Sequence, residues 1–268
     1  MFFSFLALII AIYGGLCLFL YFSQENFIFF PAPLSPKEIA LIDQHFTGSA
    51  LEIQTHDGKT LRGWHLKSKR PEQDPLILYY GGNAEEVSAN LLDWGKIPNA
   101  SILYLNYRGY GGSTGKPGEK ELVADGLQVY DYVTKELGYR PDQIVLMGRS
   151  LGSGVAIQVA GRRSVRGLIL ITPFDSLQAV AQKAYPIFPV GLFLRHPFRS
   201  DQWAEKIDRP LLALIAQQDS VIPNINSQYL LKKWQGPNRS VVIPGADHND
   251  LHEKGLYWSS INEFLESL

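Results

Sequence analysis

Six short apolar runs, none interrupted by a polar residue, constrain this chain more than any other feature. They are Leu76–Tyr80, Ile102–Leu105, Ile144–Met147, Leu168–Ile171, Leu211–Ile215 and Val241–Ile243. A strand with one wet face alternates apolar and polar residues. A run without alternation needs cover on both faces, as in a parallel sheet. Helix-compatible stretches lie between them: Ala84–Trp94, Glu119–Leu137, Val155–Ala160 and Ile225–Trp234. The last, Leu256–Leu268, places Ile261, Phe264, Leu265 and Leu268 on one face. Ahead of them, Leu51–Thr55 and Leu61–Leu66 read as a hairpin around His56-Asp57-Gly58-Lys59, with Asp-Gly as the turn signal. An antiparallel start followed by β-α repeats predicts one α/β domain, a mostly parallel sheet with helices on both faces. A chain of 268 residues is long enough to give such a domain a sizeable core. Phe174–Trp203 breaks the rhythm with AYPIFPVGLFLRHPF. It is too long for an ordinary connection and reads as a cap over a site, or as an extra packed layer.

The first 22 residues carry no charged side chain. As a helix they span about 33 Å, enough for the ~30 Å hydrocarbon core of a bilayer. No Lys or Arg precedes Lys37, and Leu-Tyr-Phe-Ser-Gln offers no A-x-A cleavage site, so the segment reads as an uncleaved single-pass anchor rather than a signal peptide. The expected organisation is a transmembrane anchor at 1–22, a linker and entry segment at 23–50 and the α/β domain at 51–268, with the cap at about 174–203. Within the linker, Phe27–Pro33 reads as a short apolar strand closing in a proline-rich stretch. A net charge of -1 with no basic run argues against nucleic-acid binding. Cys17 is the only cysteine, which excludes an internal disulfide framework and a thiolate metal cluster.

Two segments match G-x-S-x-G: Gly148–Gly152 (GRSLG) and Gly111–Gly115 (GGSTG). Their surroundings separate them. GRSLG follows a strand-like run directly and leads into a helix-compatible stretch, the strand–turn–helix context of a nucleophile elbow. GGSTG lies among Gly, Pro and Thr, with Pro117-Gly118 blocking a helix after it, so Ser113 reads as a loop serine. The same loop is neither a P-loop nor a G-x-G-x-x-G fingerprint, because Pro117 and Thr114 occupy positions those patterns need.

A serine is a weak nucleophile until a base takes its proton. Of six histidines, His248 fits best: it sits in Pro244–Asp250, a loop after the run ending at Ile243, near the C-terminus, with His252 the alternative. A carboxylate must then hold the imidazole. Asp219 follows the run LLALIAQQ at the edge of the sheet where catalytic groups gather. An N-capping aspartate is the plainer reading of that position, and Asp175 is the main rival, with Asp247 and Asp250 nearer in sequence. The Leu151 amide, directly after the nucleophile, supplies one oxyanion donor. The loop Gly81-Gly82-Asn83-Ala84 supplies the other, from Asn83, with Ala84 as alternate.

Taken together, GGNA at 81–84, NYRGYGGSTGKPGE at 106–119, GRSLGSGVA at 148–156, QDSVIP at 218–223 and GADHND at 245–250 resemble the α/β-hydrolase superfamily. Within it they are similar to membrane-anchored serine hydrolases with an S33 peptidase-type domain. The resemblance covers nearly the whole chain. It implies an α/β-hydrolase fold, a Ser150–Asp219–His248 triad and an oxyanion hole from the Asn83 and Leu151 amides. No metal or organic cofactor is implied. Two positions depart from the family pattern: Gly81 replaces a histidine and Asn106 an aspartate. The expected reaction is ester or thioester hydrolysis on a small-molecule or lipid-like acyl substrate, with Ile187, Phe188, Leu192, Phe193 and Leu194 of the cap supplying apolar surface. The alternatives are a serine peptidase of similar fold and a catalytically weak, membrane-anchored scaffold.

Overall fold

The computed structural model describes residues 2–268. Its strands are β1 (Ala50–Gln54), β2 (Thr60–Leu66), β3 (Leu76–Tyr80), β4 (Ser101–Leu105), β5 (Ile144–Arg149), β6 (Gly167–Ile171), β7 (Leu211–Ala216) and β8 (Asn238–Ile243). Its helices are α1 (Phe2–Ile28), α2 (Pro36–His45), α3 (Glu119–Lys135), α4 (Leu151–Ala160), α5 (Leu177–Ala184), α6 (Val190–Phe193), α7 (Ser200–Ala204), α8 (Asn224–Lys233) and α9 (Gly255–Ser267). One sheet runs β1-β2-β4-β3-β5-β6-β7-β8. The β1–β2 hairpin turns at Gly58, whose φ of +75° a side chain would resist. β2 pairs antiparallel with β4, and every later pairing is parallel.

Five of the six apolar runs are buried because each feeds two cores; the edge run Val241–Ile243 departs from the expectation, with Val242 50% exposed and only Ile243 buried. In β3, Leu76, Leu78 and Tyr80 enter one, with Leu122 and Val129 of α3, Val155 of α4 and Leu230 of α8. Ile77 and Tyr79 enter the other, with Tyr257, Ile261 and Phe264 of α9. This layering is the α/β-hydrolase fold. Every parallel strand points its C-terminal end the same way, so the loops after β3, β5, β7 and β8 emerge along one rim.

Two local expectations are corrected. Phe27–Pro33 is not a strand: α1 continues to Ile28, and only Pro33 forms a bridge, to Gly111. The entry segment at 23–50 holds α2, opened by a capping box in which the Ser35 hydroxyl accepts from the Glu38 amide and the Glu38 carboxylate accepts from the Ser35 amide. Ala84–Trp94 is not an α-helix. A 3₁₀ segment runs from Val87 to Lys96 instead: the Glu85 carboxylate turns back to accept from the Gly82 amide, and the Glu86 carboxylate caps the segment's start by accepting from the Ser88 amide.

The segment after β6 folds as α5, α6 and α7, and α1 lies against it. The Tyr13 ring stacks on Phe188 with centroids 5.8 Å apart, and its hydroxyl donates to the Ile187 carbonyl at 2.7 Å. The Gln24 side chain accepts from the Arg195 amide at 2.7 Å and donates to the Phe193 carbonyl at 3.2 Å. α1 is one long apolar N-terminal helix whose most apolar 18-residue window has a mean hydropathy of 2.5 and no buried residue.

Candidate active site

Between the last residue of β5 and the first of α4 stands Ser150 alone, at φ +50° and ψ −116°. A side chain in this region is strained by about 1–3 kcal/mol and persists only where its surroundings hold it. Here they do. The Ser150 amide donates to the Ile171 carbonyl at 2.8 Å, and its carbonyl accepts from the Ser153 hydroxyl at 2.6 Å. The flanking glycines are steric requirements: a Cβ at Gly148 would lie 2.5 Å from the Gly152 carbonyl oxygen, and one at Gly152 would lie 2.1 Å from that of Tyr80.

His248 reaches the serine from the loop after β8. Its Nε2 lies 3.0 Å from Ser150 Oγ. Its Nδ1 lies 2.9 Å and 3.0 Å from the two Asp219 oxygens. A carboxylate accepts only, so Nδ1 carries the proton and Nε2 is left to accept from the serine hydroxyl. The His248 and Asp219 side chains are 6% and 1% exposed, which shields this line of hydrogen bonds from competing water. Asp219 also accepts from the Val221 and Ile222 amides at 2.9 Å and 2.7 Å. Its turn-forming role and its contact with the imidazole coexist.

The rival residues are occupied elsewhere. Asp175 accepts from the Asn226 side chain at 2.7 Å. Asp247 accepts from the Ser220 amide at 2.7 Å and the Ser220 hydroxyl at 2.9 Å, joining the loop of His248 to that of Asp219. Asp250 accepts from the Asp247 amide, and His252 is exposed on the 3₁₀ turn Leu251–Glu253. Ser113 is a buried structural residue whose hydroxyl donates to the Asn106 carbonyl at 3.0 Å and accepts from the Arg62 amide at 2.8 Å.

Among the described residues, neither the Leu151 nor the Asn83 amide donates to a protein acceptor. The loop carrying Asn83 is fixed around that amide: the Gly81 carbonyl accepts from Tyr107 at 3.1 Å and the Asn83 carbonyl from Tyr110 at 2.6 Å. Asn106 explains one departure from the family pattern. Its Nδ2 donates to the Glu86 carboxylate at 2.8 Å, a bond an aspartate in its place could not make.

Two residues beside the site escaped sequence reasoning. Glu85 accepts from the Gly82 amide at 2.7 Å, and Arg149 donates to Glu85 at 3.0 Å and to Asn249 at 2.8 Å. Burial opposes the Glu85 charge, but Arg149, Tyr79, Gly82 and Asn90 outweigh it and hold the carboxyl below the usual range. Glu85 stood next to GGNA and Arg149 inside GRSLG, so position alone was their only signal.

No family model matches the chain. It is 30% identical over 264 residues to an uncharacterized protein of Mycobacterium tuberculosis, Rv2307c, covering 97% of this chain and 93% of that one. It is 26% identical to the alpha/beta hydrolase domain-containing protein WAV2 of Arabidopsis thaliana, covering 91% of this chain and 87% of that one. Among solved structures it superposes on the Pyrococcus furiosus esterase Pf2001 with a TM-score of 0.67 and 20% identity, covering 89% of this chain and 98% of that one. These likenesses carry the superfamily and no subgroup within it.

Proposed function

The chain belongs to the α/β-hydrolase superfamily, and on that premise we propose that it is a serine hydrolase of carboxylic esters or thioesters. The observation that carries the reading is the unbroken line from Asp219 through His248 to Ser150, all contacts within 3.0 Å. In this reading Ser150 Oγ attacks the acyl carbon while its proton passes to His248 Nε2. The Leu151 and Asn83 amides hold the oxyanion, and preorganised donors of this kind contribute about 10²–10³-fold each. His248 returns the proton to the departing alcohol or thiol. Water then attacks the acyl-enzyme with His248 again as base, releasing acid and free serine.

A lipid-like acyl substrate and a single-pass N-terminal anchor complete the proposal. Supporting them are the unburied apolar surface of α1 and the cap residues Ile187 and Leu192, 71% and 82% exposed. Between α1 and the cap lies an apolar groove of about 110 Å³, bordered by Leu20, Phe27, Phe188 and Phe193.

A fluorophosphonate probe on the full chain tests the reading: wild type labels and Ser150→Ala does not. Equal labelling of the two overturns Ser150 as the nucleophile, and labelling of neither overturns the reading and leaves the anchored scaffold. With labelling established, p-nitrophenyl esters of graded chain length define the acyl preference. Faster turnover of aminoacyl amides than of esters would favour the peptidase.

A further inference from the structure

One carboxylate and one guanidinium join three loops around Ser150. Glu85 Oε2 accepts from the Gly82 amide at 2.7 Å and from Arg149 Nη1 at 3.0 Å. Its Oε1 accepts from the Tyr79 hydroxyl at 2.7 Å and from the Asn90 amide group. A carboxylate has about four acceptor positions, and here each has a donor. Arg149 uses its other nitrogen on the loop of the base: Nη2 donates to Asn249 Oδ1 at 2.8 Å and to the His248 carbonyl at 3.3 Å. The Glu85 and Arg149 side chains are 10% and 23% exposed.

These contacts fall where the backbone most needs them. Gly81-Gly82 is the freest kind of dipeptide, and it leads into the Asn83 amide. The Gly81 carbonyl and the Gly82 amide belong to one peptide group, which Tyr107 grips from one side and Glu85 from the other, directly ahead of the peptide that carries the Asn83 amide. Arg149 precedes the serine by one residue. Its planar fork reaches Glu85 with one arm and the loop of His248 with the other, which the single ammonium of a lysine cannot do.

We propose that Glu85 and Arg149 are positioning residues that hold the oxyanion loop and the His248 loop in register with Ser150. The proposal rests on the serine-hydrolase reading above. An ordinary stabilising ion pair would affect how much protein is folded. A positioning pair sets the rate of each folded molecule, because a displacement of about 1 Å at such a site costs on the order of 10²-fold in turnover.

The experiment uses the full chain in detergent micelles, with p-nitrophenyl butyrate as substrate and fluorophosphonate titration to count competent sites. Glu85→Gln and Arg149→Lys are compared with wild type by circular dichroism, melting and kinetics. The expected result is a kcat per titrated site lower by about 10–100-fold with KM within about twofold. The double variant falls no further than the worse single one, since both break the same unit. Folded variants with kcat within about twofold of wild type overturn the proposal. If Glu85→Gln does not fold, Arg149→Lys decides alone, because it keeps the charge opposite Glu85 and removes only the fork. Failure of wild type itself to label at Ser150 sinks the hydrolase reading and this proposal together. A labelled wild type with unimpaired variants sinks only this one.

Discussion

Adding a single methyl at Gly152 separates the packing of the elbow from the stability of the fold. The Cβ of Gly152→Ala would sit 2.1 Å from the Tyr80 carbonyl oxygen and 2.5 Å from that of Gly81, against a practical minimum of 3.0 Å. The gap must open by 3.0 − 2.1 = 0.9 Å. α4 has little room to retreat: even at Gly154 an added Cβ would meet Phe198 at 2.9 Å and Phe174 at 3.2 Å. The displacement therefore falls on Tyr80 and Gly81, the residues that lead into the Asn83 amide. Overpacking of this kind costs about 1–3 kcal/mol, and replacing a helical glycine by alanine offsets about 1 kcal/mol. The net loss is roughly 0–2 kcal/mol, a melting shift of no more than about 8 °C for a chain of this size. Turnover suffers far more, since a shift near 1 Å costs on the order of 10²-fold. The assay is kcat on p-nitrophenyl butyrate per fluorophosphonate-titrated site, beside a melting curve. Gly95→Ala, with nothing within 4 Å of its added Cβ, serves as the control that keeps both. A Gly152→Ala protein that turns over within threefold of wild type would refute the claim that α4 and β3 meet without slack.

Three further outcomes are expected. Burial first, and Lys67 second, push the His65 pKa down to about 4, while the unfolded chain takes up that proton near 6.5. Stability from this residue is complete above pH 6.5 and is lost as pH falls toward 4, by an amount of order 3 kcal/mol. Denaturant midpoints of His65→Gln should therefore vary less over that interval than those of wild type, and parallel curves would contradict this. Arg108 and Asp125 form a pair only 6% and 7% exposed. Asp125→Asn should cost about 3 kcal/mol in urea unfolding, and a loss below 1 kcal/mol would mean that the exposed Asp57 suffices for the guanidinium. Asn106→Asp sets a second carboxylate against Glu86 and should cost about 1–3 kcal/mol. Adding Glu86→Gln should recover most of it, and no recovery would place the cost elsewhere.

Much of the sheet was legible because its signal is local. Each strand from β3 to β7 contains a run covered on both faces, whereas the run of β8, at the sheet edge, leaves Val242 half-exposed; the Asp-Gly turn marked the hairpin before them. Ser150 was separable from Ser113 by the same means, since a strand directly before and a helix directly after can be read from neighbours. The capping box of α2 was equally local, as Ser35-Pro36-Lys37-Glu38, yet the surrounding prolines read as linker. The 3₁₀ segment was not legible, because the carboxylates that delay it bond backward to Gly82 and across to Asn106.

The choice between Asp219 and Asp175 belongs to the tertiary structure. Both follow apolar strands, and only the placement of β7 beside β8 brings one of them under the imidazole. The Glu85–Arg149 pair, 64 residues apart, and the seating of α1 against the segment after β6, 174 residues away at Tyr13, belong there too. Periodicity and turn chemistry act over a few residues and determine which segments become strands and helices. Contacts between distant charges and rings exist only after those segments have packed, so their partners leave no mark on the neighbouring sequence.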